Sequence, residues 1–180
     1  MPSENLSGGD RRNFLASCLA VLGGAAAGAV PALAGLAAFL NPWREKSEAG
    51  RSIRVASLAS LTVGGPPMRV PVIADRRDAW NRFAAEPIGA VFLRRTGEKQ
   101  VVAVSVVCPH AGCQVAFDGK QNGFFCPCHA AKFDADGKRT EAQSMSPRDL
   151  DTLDVEIKDT EVWVKFERFR TGTAEKVTRS

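Results

Sequence analysis

The chain has 180 residues, 24 of them basic and 20 acidic, for a net charge of +4. That length holds one domain of ordinary size with an N-terminal extension. The basic excess forms no stripe or cluster, so the footprint of a nucleic-acid-binding protein is missing. Cysteine and histidine are more telling. Of five Cys and two His, four Cys and both His fall between positions 108 and 129. Soft and borderline metal ligands are thereby gathered into one short stretch.

In chain order, residues 1–13 are polar and end in Asp10-Arg11-Arg12-Asn13, the expected cytoplasmic end. Phe14–Leu40 follows, 27 residues without a charge. About 20 residues suffice to cross a hydrocarbon core as a helix, so this segment predicts a single transmembrane anchor in a lipid membrane. Arg11-Arg12 before Phe14-Leu15 resembles a twin-arginine export signal, although Asp10 stands where that signal usually has Ser or Thr. The same pair also serves as an ordinary topogenic charge. Ala32-Leu33-Ala34 has the small-x-small form of a cleavage site, but the apolar run continues to Leu40, which favours an uncleaved anchor. Cys18, within this run, reads as a small buried apolar residue. Asn41-Pro42 ends the span, because a residue before proline avoids the helical region.

Residues 41–60 are charged, small and irregular, with Arg44, Lys46, Arg51 and Arg54 offset by Glu45 and Glu48. They predict a flexible linker, with contact to lipid headgroups as the sharper alternative. From residue 61 to 180 the pattern is short strands and turn signals. Strands are expected at Met68–Ile73, Ala90–Arg94 and Val101–Val107. Val155–Lys158 and Val162–Phe166 alternate with period two around Asp159-Thr160 and predict a hairpin. Asp75–Glu86, with Trp80 and Phe83, reads as a loop or short helix. Trp80, Trp163, Phe166 and Phe169 read as core or interface, and the tail after Arg170 is expected to extend over the surface.

Two boxes carry the chemistry, Cys108-Pro109-His110-Ala111-Gly112-Cys113 and Cys126-Pro127-Cys128-His129, with twelve residues between them. Each offers one Cys and one His, plus a further Cys. Structural zinc would also accept Cys and His from two loops. Its usual spacing, however, is a pair of C-x₂-C knuckles, whereas these boxes read C-x-H and C-x-C-H. Gly112, Pro109 and Pro127 suit tight loops.

These boxes resemble those of the Rieske family, particularly the iron–sulfur subunit of cytochrome bc complexes. The closing stretch Trp163–Lys176 is also similar to that of bacterial quinol–cytochrome c reductase Rieske subunits. The resemblance implies an all-β fold: a Rieske-type antiparallel β sandwich with a small cluster-binding subdomain, here about residues 104–140, preceded by one transmembrane helix. It implies a [2Fe–2S] cluster with Cys108 and Cys126 on one iron and His110 and His129 on the other. Cys113 and Cys128 would form a disulfide, which fits an exported domain. Two ferric ions, two sulfides and two thiolates sum to zero charge, so an added electron is better accepted than by a four-thiolate cluster. His129 would meet the quinol. The implied partners are a cytochrome b subunit, a c-type cytochrome and a quinol, with the cluster domain on the outer, periplasmic side of the cell membrane. A competing reading from the same motifs is the Rieske small subunit of an exported molybdenum oxidase such as arsenite oxidase.

Three departures from the family pattern bear on the chemistry. Ala111 replaces the usual Leu of the first box. The second box continues Ala130-Ala131-Lys132-Phe133 where the family has Gly-Ser-x-Tyr, so both hydroxyls are missing, and the chain contains no tyrosine. Hydrogen bonds to the sulfurs stabilise the reduced form, so the expectation is a low-potential centre suited to menaquinol.

Overall fold

The structure is a computed structural model that describes residues 8–40, 50–77, 81–141 and 143–179. The chain divides into two units, Met1–Lys46 and Ser47–Ser180. The first contributes helix α1, Gly8–Leu40. Its residues Arg11–Leu40 are long and apolar enough to cross a membrane. The helix is apolar on all sides and runs on through Pro31, and Cys18 is half-exposed on it. The expected helix end at Asn41-Pro42 and the linker residues 41–49 lie outside the described residues, as does Trp80.

Among its described residues the second unit has ten strands. They are β1 (Arg51–Ser57), β2 (Met68–Arg77), β3 (Arg82–Gly97), β4 (Gln100–Ser105), β5 (Ala116–Asp118), β6 (Gly123–Phe125), β7 (Lys132–Asp134), β8 (Thr152–Leu153), β9 (Val155–Lys158) and β10 (Glu161–Phe166). They form three antiparallel sheets ordered β1-β10-β9, β2-β3-β4-β8 and β5-β6-β7.

The middle strands of the four-stranded sheet explain the layering. Successive residues of a strand point to opposite faces. On β3, Val91 and Leu93 enter one core with Val70, Val72, Ala103, Val162 and Val164. Phe92, between them, enters the other with Val104, Val106, Phe124 and Phe133. The sheet is therefore covered on both faces, by the β1-β10-β9 sheet and by the small β5-β6-β7 sheet. This is why Ala90–Arg94 and Val101–Val107 read as nearly continuous apolar runs rather than strict alternations. The β9–β10 hairpin forms as expected, with Glu161 opposite Lys158. Asp159 takes the left-handed conformation (φ 54°) in its two-residue turn, where Asp is well tolerated. Val162 and Val164 point inward, while outward-facing Trp163 carries the Lys158 ammonium over its ring. Phe166 and Phe169 pack partly buried against the first core.

Two expectations are corrected. The linker does not reach residue 60: Arg51–Ser57 is strand β1, paired along β10 from Arg51↔Phe166 to Ser57↔Glu161. Ile53 and Val55 alternate with Arg54 and lean on the first core, where Leu58 and Leu61 are buried. Arg54 on the opposite face, with Arg51 exposed at the strand's start, disguised a period-two strand as a charged tether. Likewise, Asp75–Glu86 is neither an open loop nor a helix where it is described. β2 and β3 continue as a long hairpin to Arg77↔Arg82, with irregularities at Val72/Ile73 and Ala74/Arg76. Pro71 fits because β2 is an edge strand, where a missing N–H costs no ladder bond.

The tail after Arg170 lies at the surface but is held there. Arg148 and Asp151, both buried, form a two-pronged ion pair with Nε–Oδ1 and Nη2–Oδ2 distances of 2.8 Å. The same guanidinium donates to the Arg170 and Thr173 carbonyls of the tail. Gly172 N–H donates to Pro109 O at 2.7 Å, bringing the tail onto the first cysteine box. Removing one member of a buried pair strands the other charge, typically at about 3–5 kcal/mol. Arg148→Ala is expected to lower unfolding free energy by about that amount and to expose the tail to protease. Chemical denaturation and limited proteolysis of the full chain check both outcomes.

Candidate metal centre

Each cysteine box is the tip of a hairpin. Below the first, Val107 bridges Gln114 and Val115 N–H donates to Val106 O. Below the second, Phe125 pairs with Lys132 across β6 and β7. The two tips close in the same way. Cys108 N–H donates to Cys113 O at 2.8 Å, and Cys126 N–H donates to Ala131 O at 2.9 Å. In each loop the residue before the closing carbonyl is left-handed: Gly112 at φ 82° and Ala130 at φ 55°. A Cβ at Gly112 would still find room, with Thr171 Cγ2 3.6 Å away, so conformation rather than space calls for glycine there. The second loop meets the same demand with alanine, at a cost of about 1–2 kcal/mol.

The loops are tied by a disulfide between Cys113 and Cys128, with Cα atoms 6.5 Å apart. Cys108 and Cys126 remain free thiols and are 1% and 2% exposed. Burial pushes the Cys108 thiol up to about 11; the His110 N–H works against that, the Cys126 side chain adds to it, and Ser146 lowers it again. The rings of His110 and His129 meet edge to face with centroids 4.5 Å apart. His110 is half-buried and His129 exposed. The sulfurs of Cys113, Cys126 and Cys128 also lie within 4.8 Å of one another. Two of these are consumed by the disulfide, so that trio offers only one thiolate.

All six residues singled out in the sequence are thus brought to one end of the domain. Two buried thiols and two imidazoles face each other across paired loops, a donor set that fits a cluster with one sulfur-bound and one nitrogen-bound iron. The apolar second core continues directly under it through Ala131, Phe133, Leu150 and Phe124. The Rieske [2Fe-2S] domain matches this chain over residues 65–162. The chain belongs to the Rieske family.

Its Rieske relatives extend the match beyond the domain. The menaquinol:cytochrome c reductase iron-sulfur subunit of Bacillus subtilis is 30% identical over 154 residues, 83% of this chain and 87% of that protein. The subunit of the same name from Geobacillus thermodenitrificans is 28% identical over 167 residues, 90% of this chain and 94% of that protein. Among solved structures, the plasma membrane Rieske protein of Synechocystis PCC 6803 is 29% identical and covers 63% of this chain and 99% of its own, with a TM-score of 0.43. As a Rieske protein the chain carries a [2Fe–2S] cluster.

The boxes did not mark two neighbours of the site. Ser146 is fully buried and donates its hydroxyl to Arg148 O at 2.7 Å, and Arg148 anchors the tail behind the first loop. Both come from the segment before β8, which has no cysteine or histidine to draw notice. The strain at Ala130 gives a direct test of the loop pairing. Ala130→Gly relieves a left-handed Cβ clash and is expected to stabilise the domain by about 1 kcal/mol, read as a raised denaturation midpoint with the cluster spectrum unchanged.

Proposed function

We propose that this chain is the membrane-anchored Rieske subunit of a quinol:cytochrome c reductase, taking electrons from a quinol and passing them to a c-type cytochrome. The observation that carries the proposal is the span of the relatives. Proteins named menaquinol:cytochrome c reductase iron-sulfur subunit match 83% and 90% of this chain, more than the domain match of residues 65–162.

Cys108 and Cys126 would hold one iron as thiolates, and His110 and His129 the other through imidazole nitrogens. The cluster, when bound, supplies a one-electron couple. The protein supplies the rest. Burial of the two cysteines keeps water from the sulfurs, and the disulfide holds the two loops in register. His129, exposed at the tip, is the residue that can accept a hydrogen bond from a quinol hydroxyl. Helix α1 would anchor the chain, with the domain on the outer side of the membrane.

A low potential follows from Ala131 and Phe133. Both are buried in the core beneath the site, at 2% and 1% exposure, and neither has a donor to offer. A hydrogen bond to a charged group contributes about 1.5–3 kcal/mol, and a tenfold shift in a one-electron couple is about 59 mV. Each missing hydroxyl is therefore worth about 60–130 mV, which favours menaquinol as donor.

Two measurements test this reading. Detergent purification of the complex through this chain is expected to recover a cytochrome b and a c-type cytochrome. Recovery of a molybdopterin subunit in their place would establish the oxidase reading. In redox titrations, Ala131→Ser/Phe133→Tyr is expected to raise the potential by about 60 mV or more. An unmoved potential would refute the hydrogen-bond account.

A further inference from the structure

Away from the cysteine and histidine side chains, a cleft of about 630 Å³ separates the β2–β3 hairpin from the C-terminal tail. That volume lies within the range of small-molecule pockets. Half-buried Ile88 and Phe166 give it an apolar lining, and three exposed arginines, Arg69, Arg168 and Arg179, also face it. The apolar part is fixed by close packing. A Cβ at Gly89, also in the lining, would collide with the Phe166 ring.

None of the three arginines has an ionic partner among the described residues. Arg69 donates to Gln114 Oε1 at 2.8 Å and Arg168 to Ile88 O at 2.7 Å, both neutral acceptors. The carboxylates of the lining are committed elsewhere: Asp151 holds Arg148, and Glu167 holds Lys165 at 3.1 Å. Two of the positive charges are also forced together. Phe169 bridges Thr178 in the antiparallel sense, and Arg179 N–H donates to Arg168 O at 2.7 Å. Arg168 and Arg179 therefore stand opposite each other. Opposite residues of an antiparallel pair share a face, and like charges there destabilise the pair. An anion with several oxygens between them removes that repulsion, and guanidinium groups bind such an anion through paired hydrogen bonds.

The lining thus suits a ligand with an anionic head and an apolar body. The chain arriving from α1 enters the domain beside this cleft, where Gly50 N–H donates to Phe166 O at 3.1 Å. Helix α1 is long and apolar enough to cross a membrane. A peptide suits the cleft less well. It would add to the β2 edge, where Pro71 of the lining has no N–H to offer.

We propose that this cleft binds an anionic phospholipid, with its phosphate between the Arg168 and Arg179 guanidinium groups and its apolar part on Phe166 and Ile88. Arg69 adds to the positive field. The proposal rests on the reading of α1 as a membrane anchor and is independent of the cluster ligands.

The test places the full chain in nanodiscs of phosphatidylglycerol or of phosphatidylcholine, each with a photoactivatable acyl chain. Labelled peptides are mapped by mass spectrometry after illumination. Phosphatidylglycerol is expected to label residues 87–90 and 166–171 well above phosphatidylcholine, while both lipids label α1 equally. Arg179→Gln is expected to cut cleft labelling about fivefold, the worth of one arginine at an anionic lipid surface. Arg69→Gln/Arg179→Gln is expected to cut it further, with labelling of α1 unchanged. Equal labelling of the cleft by the two lipids overturns the proposal, and so does labelling that survives the double substitution. A cleft that captures no lipid overturns it as well, whether its arginines then hold free inorganic phosphate or an acidic companion protein. An unlabelled α1 is a different failure: the anchor reading is then wrong, and the proposal falls with it.

Discussion

The site depends on one constraint, the closure of two hairpin tips by the same main-chain hydrogen bond and their fastening by one disulfide. Cys108 N–H to Cys113 O and Cys126 N–H to Ala131 O set two loops of equal length. The Cys113–Cys128 bond then holds them face to face. Without that geometry the two buried thiols and two histidines would be separate features of the surface. With it, they lie together, the cysteine sulfurs enclosed and His129 reaching solvent.

The rest of the domain supports these loops in layers. β3 and β4 send alternate residues to two cores. The first core locks the four-stranded sheet to the β1-β10-β9 sheet, and the second forms the floor of the site. A third support comes from behind. The Arg148–Asp151 pair gathers the tail, and Gly172 passes that restraint to Pro109 in the first loop. A buried ion pair is weak evidence for net stability. Its use here is positional, because one guanidinium joins the segment before β8 to the C-terminal tail beside the site.

The departures from the family pattern also acquire a physical meaning. Ala130 is a residue with a Cβ at a left-handed position whose counterpart in the first loop is Gly112. The second loop therefore bears local strain that the first avoids. Ala131 and Phe133 are fully at home in an apolar floor, which is the opposite of what a donor to sulfur requires.

By itself the sequence determined the long apolar helix, the β character of the domain, the β9–β10 hairpin and the cysteines and histidines that the fold gathers together. Each of these rests on local pattern: an uncharged run, a period of two, or ligand residues at tight spacing. The tertiary structure decided what local pattern could not carry. Arg51–Ser57 has the charge of a linker and became a strand because β10 offered it an edge and the first core took Ile53 and Val55. Asp75–Glu86 lacked a clean period because bulges shift its register. Arg148 gained its place through partners 22 and 25 residues on, at Arg170 and Thr173. Contacts at such separations leave no periodicity in the chain, so only the folded arrangement of hairpins and tail could reveal them.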